Sequence, residues 1–221
     1  MNPLLRFEQV DFSYPGGRGA LREVSFSVRE KDFLLITGPS GAGKSTLLRL
    51  LVRLEEPGSG RIFYRDKPLD EYPPSVLRRR ICLLPQTPLM VEGSIRDNLL
   101  LPFRFAANRE MTAPGENVLR DWLERLELAE IPLDESAQNL SVGQKQRLCL
   151  IRLLLLEPEM ALLDEPTSAL DAESRAIVTA VTEERNRNGM AILHVSHSDY
   201  RPRVQYRHLD VREQSVTEVL P

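Results

Sequence analysis

Gly38-Pro39-Ser40-Gly41-Ala42-Gly43-Lys44-Ser45-Thr46 is the stretch on which the reading of this chain turns. It fits the spacing G-x-x-x-x-G-K-[ST]. Before it, Phe33 to Thr37 reads as a short buried strand. After it, Ser45 to Leu54 reads as a helix whose apolar positions are Leu47, Leu48, Leu50, Leu51 and Leu54. A strand, a glycine loop and a helix in succession are the setting in which this spacing holds phosphate. Glycines let the backbone wrap so that N–H groups point inward, and the helix N-terminus adds the positive end of its dipole. Gly38, Ser40, Gly41, Ala42, Gly43 and Thr46 are the expected loop contacts. Lys44 is expected to reach the β- and γ-phosphates, and the Ser45 hydroxyl can ligate Mg²⁺.

Working outward, Met160-Ala161-Leu162-Leu163-Asp164-Glu165 is an apolar run ending in two carboxylates. In parallel α/β sheets the C-terminal ends of strands are where ligands bind. Asp164 can hold a Mg²⁺ shell through water, and Glu165 can polarise or deprotonate an attacking water. Alone such a run could be a strand entering a charged turn; beside the glycine loop it reads as catalytic. Leu140-Ser141-Val142-Gly143-Gln144 opens a long helical pattern, with Ser141 placed to cap it. A capped helix N-terminus with a hydroxyl and a glycine is a second anion site.

The remaining chain divides by character. Leu5 to Val10, Leu21 to Val28, Arg61 to Tyr64 and Ile81 to Leu84 read as strands, and Pro74 to Arg80 as a short helix. From Ser94 to Leu156 the signals are helical, with Val118, Leu119, Trp122, Leu123 and Leu126 at helical spacing and a polar loop over 104–115. Strand signals then return at Met160 to Leu163, Ala191 to Val195, His208 to Val211 and Ser215 to Val219, with a helix from Asp171 to about Arg187. The chain has 221 residues, 42% of them apolar and 28% charged, with a net charge of −3. That balance gives no reason to expect a nucleic-acid partner. The arginine clusters 78–80 and 201–207 read as solvated faces. Cys82 and Cys149 sit in apolar runs without metal-ligand spacing and read as small core residues. No apolar run reaches the eighteen or so residues of a transmembrane helix, and no signal peptide is evident.

Together these motifs resemble the ATP-binding-cassette ATPases over nearly the whole chain. Leu140 to Gln144 resembles the family signature LSGGQ, with Val142 in place of its first glycine. Tyr14 lies where an aromatic stacks on adenine, Gln86 where a glutamine follows a buried strand and ligates Mg²⁺, and Ser168 to Asp171 where the D-loop runs. His197 looks like the switch histidine; His194 competes with it but sits inside the strand rather than just past it. The resemblance implies an α/β P-loop NTPase (RecA-like) core, with an antiparallel β subdomain and an inserted α-helical subdomain. The implied division is 1–86 and 157–221 for the core and 87–156 for the helical part.

It also implies ATP and Mg²⁺ as ligands and Glu165, His197 and Gln86 as catalytic residues. Ser45, Gln86 and Asp164 are then the metal set, with Ser141, Gly143 and Asp171 as further nucleotide contacts. It implies a homodimer on ATP binding and an integral membrane permease partner at the cytoplasmic face of the inner membrane. Thr87 to Leu99 occupies the docking position. The general similarity is greatest to small bacterial iron-export ATP-binding proteins. A soluble ATPase outside transport and a non-hydrolysing scaffold are the alternatives.

Overall fold

The computed structural model describes residues 3–16, 19–196 and 200–219. In chain order these form β1 (Leu5–Ser13), β2 (Gly19–Val28), β3 (Phe33–Thr37), α1 (Lys44–Leu51), β4 (Ser59–Tyr64), β5 (Lys67–Pro68), α2 (Pro74–Arg80), β6 (Ile81–Leu84), α3 (Ile95–Leu100), α4 (Glu116–Arg125), α5 (Val142–Leu154), β7 (Met160–Asp164), α6 (Ala172–Arg187), β8 (Ala191–Val195), β9 (Arg207–Arg212) and β10 (Ser215–Val219). An antiparallel sheet has the order β2-β1-β4-β5. A six-stranded sheet has the order β10-β9-β3-β8-β7-β6, parallel from β9 to β6 and closed at one edge by the antiparallel hairpin of β9 and β10.

Central strands β7 and β8 are buried along their whole length, as strands covered on both faces must be. Successive side chains point to opposite faces. Met160 and Leu162 therefore join a core with Phe7, Leu47 and Tyr64, on the side of α1 and the antiparallel sheet. Ala161 and Leu163 join a second core with Ile95, Leu119 and Leu148, on the side of the helical segment. One sheet thus separates two cores and presents the C-terminal ends of β3, β6, β7 and β8 along one edge.

Several expectations need correction. Helix α1 starts at Lys44 and ends at Leu51, and Leu54 lies outside it with 54% of its surface exposed. Arg53 takes φ +52 while the Leu54 N–H donates to the Arg49 carbonyl, a left-handed closing turn that the apolar spacing conceals. Val118 is exposed; the buried stripe of α4 is Leu119 and Leu123, continued by Leu126 past its end. Trp122 is half-buried against the second core, with the Arg125 guanidinium 4.4 Å over its ring. The 104–115 loop contains a 3₁₀ turn, Ala106–Asn108, and buries Asn108. Two arginines of the presumed solvated faces make structural bonds: Arg78 donates to the Val52 and Arg53 carbonyls, and Arg207 bridges Asp32 and Glu218. Cys82 and Cys149 are buried free thiols, as expected, and burial pushes the Cys82 thiol up to about 12.

Candidate nucleotide site

The phosphate loop leaves β3 and enters α1 under close constraint. Gly38 has φ +143, and a Cβ there would lie 2.1 Å from the Val211 carbonyl oxygen, so only glycine passes between β9 and the loop. The preceding residue is tied to the same strand by a 2.7 Å hydrogen bond between Thr37 Oγ1 and His208 Nε2. Lys44 is buried, and its Nζ donates to the carbonyls of Gly38 (2.9 Å) and Pro39 (2.8 Å). Burial lowers its pKa, with the charges of Glu165 and Asp164 acting the other way. The side chain is parked on neutral acceptors inside its own loop, from which an anion can recruit it. Gly43, at the N-cap of α1, offers no side-chain acceptor, which leaves the first N–H groups of the helix to a ligand.

Ser45 Oγ donates to Asp164 Oδ1 at 3.1 Å, and Gln86 Nε2 donates to Glu165 Oε2 at 2.9 Å. Burial raises the Asp164 pKa, the Ser45 hydrogen bond opposes that rise, and the neighbouring Glu165 charge adds to it. Glu165 has φ +50, a left-handed conformation that costs a non-glycine residue about 1–3 kcal/mol. It is held there by its N–H to the Val195 carbonyl (3.2 Å) and by Ser168 Oγ donating to its own carbonyl (3.1 Å). Ser40, Gly41, Lys44, Ser45, Gln86 and Glu165 line one cavity of about 380 Å³. Hydroxyl, carboxylate and amide oxygens are the donor set of a hard divalent cation such as Mg²⁺, so the residues fit that ion.

The structure therefore gathers the phosphate loop, Gln86, Asp164 and Glu165. It places Tyr14 close by: its hydroxyl is 2.9 Å from Thr46 Oγ1, and its ring meets Phe12 edge-on at 4.8 Å. Ser141, Gly143 and Asp171 do not line the cavity. Ser141 caps α5 in a capping box with Gln144, as its position suggested. Val142 is the first residue of that helix, 58% exposed, and needs no left-handed backbone. Gly143 sits close to Leu170: a Cβ there would lie 3.2 Å from Leu170 Cδ2, so the leucine side chain would have to shift by a few tenths of an ångström. Asp171 caps α6 through the Ser174 N–H at 2.9 Å, and that bond holds its carboxyl below the ordinary range.

His197 lies outside the described residues. His194 is 1% exposed, its ring 4.8 Å from Tyr200 and 6.0 Å from Phe33, and burial pushes its pKa down to about 3. It is a neutral core residue, as its place inside the strand suggested. Sequence reading missed Asn98, fully buried and bonded to both backbone groups of Val91. Asparagine amid the apolar positions of a short helical run was the available signal.

Residues 21–168 match the family model described as ABC transporter. Among curated relatives, the "Probable iron export ATP-binding protein FetA" of Escherichia coli (strain K12) is 36% identical over 197 residues, covering 89% of this chain and 85% of that one. The "Uncharacterized ABC transporter ATP-binding protein YfiB" of Bacillus subtilis (strain 168) is 39% identical over 175 residues; the match covers 78% of this chain but only 30% of that longer protein. Among solved structures, the ATP-binding cassette MJ0796, dimeric in a post-hydrolysis state with ADP and Pi, superposes with a TM-score of 0.87 at 26% identity, covering 97% of both chains. A bacterial Atm1-family ABC exporter with ATP bound superposes with a TM-score of 0.84 at 25% identity, over 98% of this chain and 38% of that one.

Proposed function

The chain belongs to the ABC transporter family and is an ATP-binding ATPase of that family, and from this premise we propose that it powers a separate membrane permease as one of two copies. The observation that carries the reading is the meeting of two hydrogen-bonded pairs, Ser45 with Asp164 and Gln86 with Glu165, around the parked Lys44. Lys44 is the charge for the β- and γ-phosphates, and Ser45, Gln86 and Asp164 are the groups that would hold Mg²⁺. The ion when bound would offset negative charge on the phosphoryl oxygens. Glu165 is the base that orients and deprotonates the attacking water. Tyr14, beside Thr46, is the adenine platform, and His197 the γ-phosphate contact.

Ser141 and Gly143 sit at an exposed, capped helix start outside the cavity, so each site would be completed by the signature helix of a second copy placed head to tail. The dimeric cassette structure bound to ADP and Pi supports that arrangement. Among the described residues no helix is long and apolar enough to cross a membrane. The site for the permease would be Thr87 to Leu99, which follows Gln86 directly and so links docking to Glu165. The chain would then lie at the cytoplasmic face of the inner membrane. Iron export is the cargo reading, supported by the Escherichia coli relative alone.

Glu165→Gln tests the composite site. The substitution keeps size and hydrogen bonding but removes the basic carboxylate, so ATP should bind without cleavage and hold two chains together. Light scattering should show a dimer with ATP and a monomer with ADP. A variant that still hydrolyses ATP, or stays monomeric with saturating ATP, refutes the proposal.

A further inference from the structure

The segment that carries Gln86 runs from the end of β6 at Leu84 to the start of α3 at Ile95 with no helix or strand of its own. Helix α5 reaches it at two points. Gln146 Nε2 donates to the Pro85 carbonyl at 3.5 Å. Arg152 Nη2 donates to the Leu89 carbonyl at 2.9 Å, and the Cys149 thiol donates to the same oxygen at 3.7 Å. These three side chains follow one another at intervals of three along the helix, so each is the surface neighbour of the next. Gln86 lies between the two tied carbonyls, with its own Nε2 2.9 Å from Glu165 Oε2.

Packing alone does not account for these residue types. Gln146 is 2% exposed, and its Oε1 is buried with no hydrogen-bond partner among the described residues. A leucine would fill similar space without an unpaired acceptor, whose lost hydration goes uncompensated. What glutamine adds is the Nε2 donor, aimed at the residue before Gln86. Arg152 Nη2 also donates to Cys149 Sγ at 3.2 Å, which fixes the guanidinium between the helix and Leu89. We propose that Gln146 and Arg152 are positioning residues for hydrolysis: they hold the 85–89 segment at both ends and so set Gln86 against Glu165. Neither lines the nucleotide cavity, so both act through Gln86. A group that orients a metal ligand from behind acts on metal affinity and rate together. Small misplacements of the groups around a reacting centre cost rate steeply. The inference rests on the reading of Gln86 as a Mg²⁺ ligand and of Glu165 as the base.

The test compares the purified full chain with its Gln146→Leu, Arg152→Met, Arg152→Lys and Gln86→Ala variants. Without nucleotide, the Gln86 side-chain amide signal in a ¹⁵N NMR spectrum, identified by its loss in Gln86→Ala, should shift in Gln146→Leu and in Arg152→Met. In steady-state ATPase assays of those two variants, kcat should fall and the Mg²⁺ concentration at half-maximal rate should rise, each by roughly tenfold. KM for ATP should stay within about twofold, since the phosphate loop is untouched. Arg152→Lys keeps a donor for the Leu89 carbonyl and should recover most of the loss. Added to Gln86→Ala, neither Gln146→Leu nor Arg152→Met should cost further turnover, because a residue that acts through Gln86 has nothing left to act on. That comparison decides even if a single variant lowers Tm. An unmoved Gln86 signal, or losses that add in the double variants, overturns the inference and leaves the roles of Gln86 and Glu165 standing. Parent-like turnover and Mg²⁺ dependence in Gln86→Ala overturns the reading of Gln86 and this inference with it.

Discussion

Asn98→Ala should cost far more than its place on a six-residue helix suggests. Asn98 is fully buried; its Oδ1 accepts from the Val91 N–H (2.9 Å), and its Nδ2 donates to the Val91 carbonyl and the Ser94 carbonyl (both 3.0 Å). Truncation removes three hydrogen bonds, each worth about 1 kcal/mol net. The two carbonyls keep other donors, since Ser94 also accepts from the Asn98 N–H (3.1 Å) and Val91 from Gln138 Nε2 (3.4 Å). The Val91 N–H alone is orphaned. A destabilisation of about 2–3 kcal/mol follows, which for a domain of this size lowers Tm by roughly 5–10 °C. Thermal unfolding followed by circular dichroism measures it. Asn98→Asp, which keeps the acceptor and loses both donors, should also destabilise. A Tm within about 2 °C of the parent for Asn98→Ala would refute the claim that this side chain anchors the 91–94 loop.

Further outcomes follow from the nucleotide site. Lys44→Ala should drop ATPase activity to background while the circular dichroism spectrum persists; parent-like turnover would end the phosphate-loop assignment. Asp164→Asn should abolish hydrolysis yet raise the Tm of the nucleotide-free protein near neutral pH. Burial raises the folded pKa of this carboxyl, so its ionised form burdens the fold above that pKa, and the burden fades as pH falls through it. The gain should therefore shrink by about pH 4, near the ordinary Asp pKa of about 3.9; a gain that grows toward acid would contradict the sign. Val142→Gly should leave turnover equal or higher, because Val142 is exposed on a regular helical turn; a large loss in a steady-state assay would give this loop its own geometry.

The sequence was most legible where chemistry is local. Strand, loop and helix around Lys44 are contiguous, as are the carboxylates at the end of β7 and the capping box at Ser141, so each could be read from a few neighbours. The apolar periodicity of 33–54 gave the elements but not the end of α1, because a left-handed closing turn at Arg53 leaves no trace in hydropathy. Gly143 was legible as a motif position, while its closeness to Leu170, which follows β7 in the sequence, was not. A cavity of about 580 Å³ lined by Leu54, Leu89 and Phe105 was invisible too, because stretches far apart in the sequence, from 52 to 156, supply its walls.

The hydrogen bond from Thr37 to His208 and the close pass of Val211 over Gly38 join residues 171 positions apart in one case and a comparable distance in the other. The strand that feeds the phosphate loop is made early, and the strand it leans on is made late. During synthesis the loop sequence leaves the ribosome long before its supporting edge exists, so a nascent chain has the residues for ATP without the geometry to grip it. Nucleotide binding would then report that β9, residues 207–212, has arrived and docked.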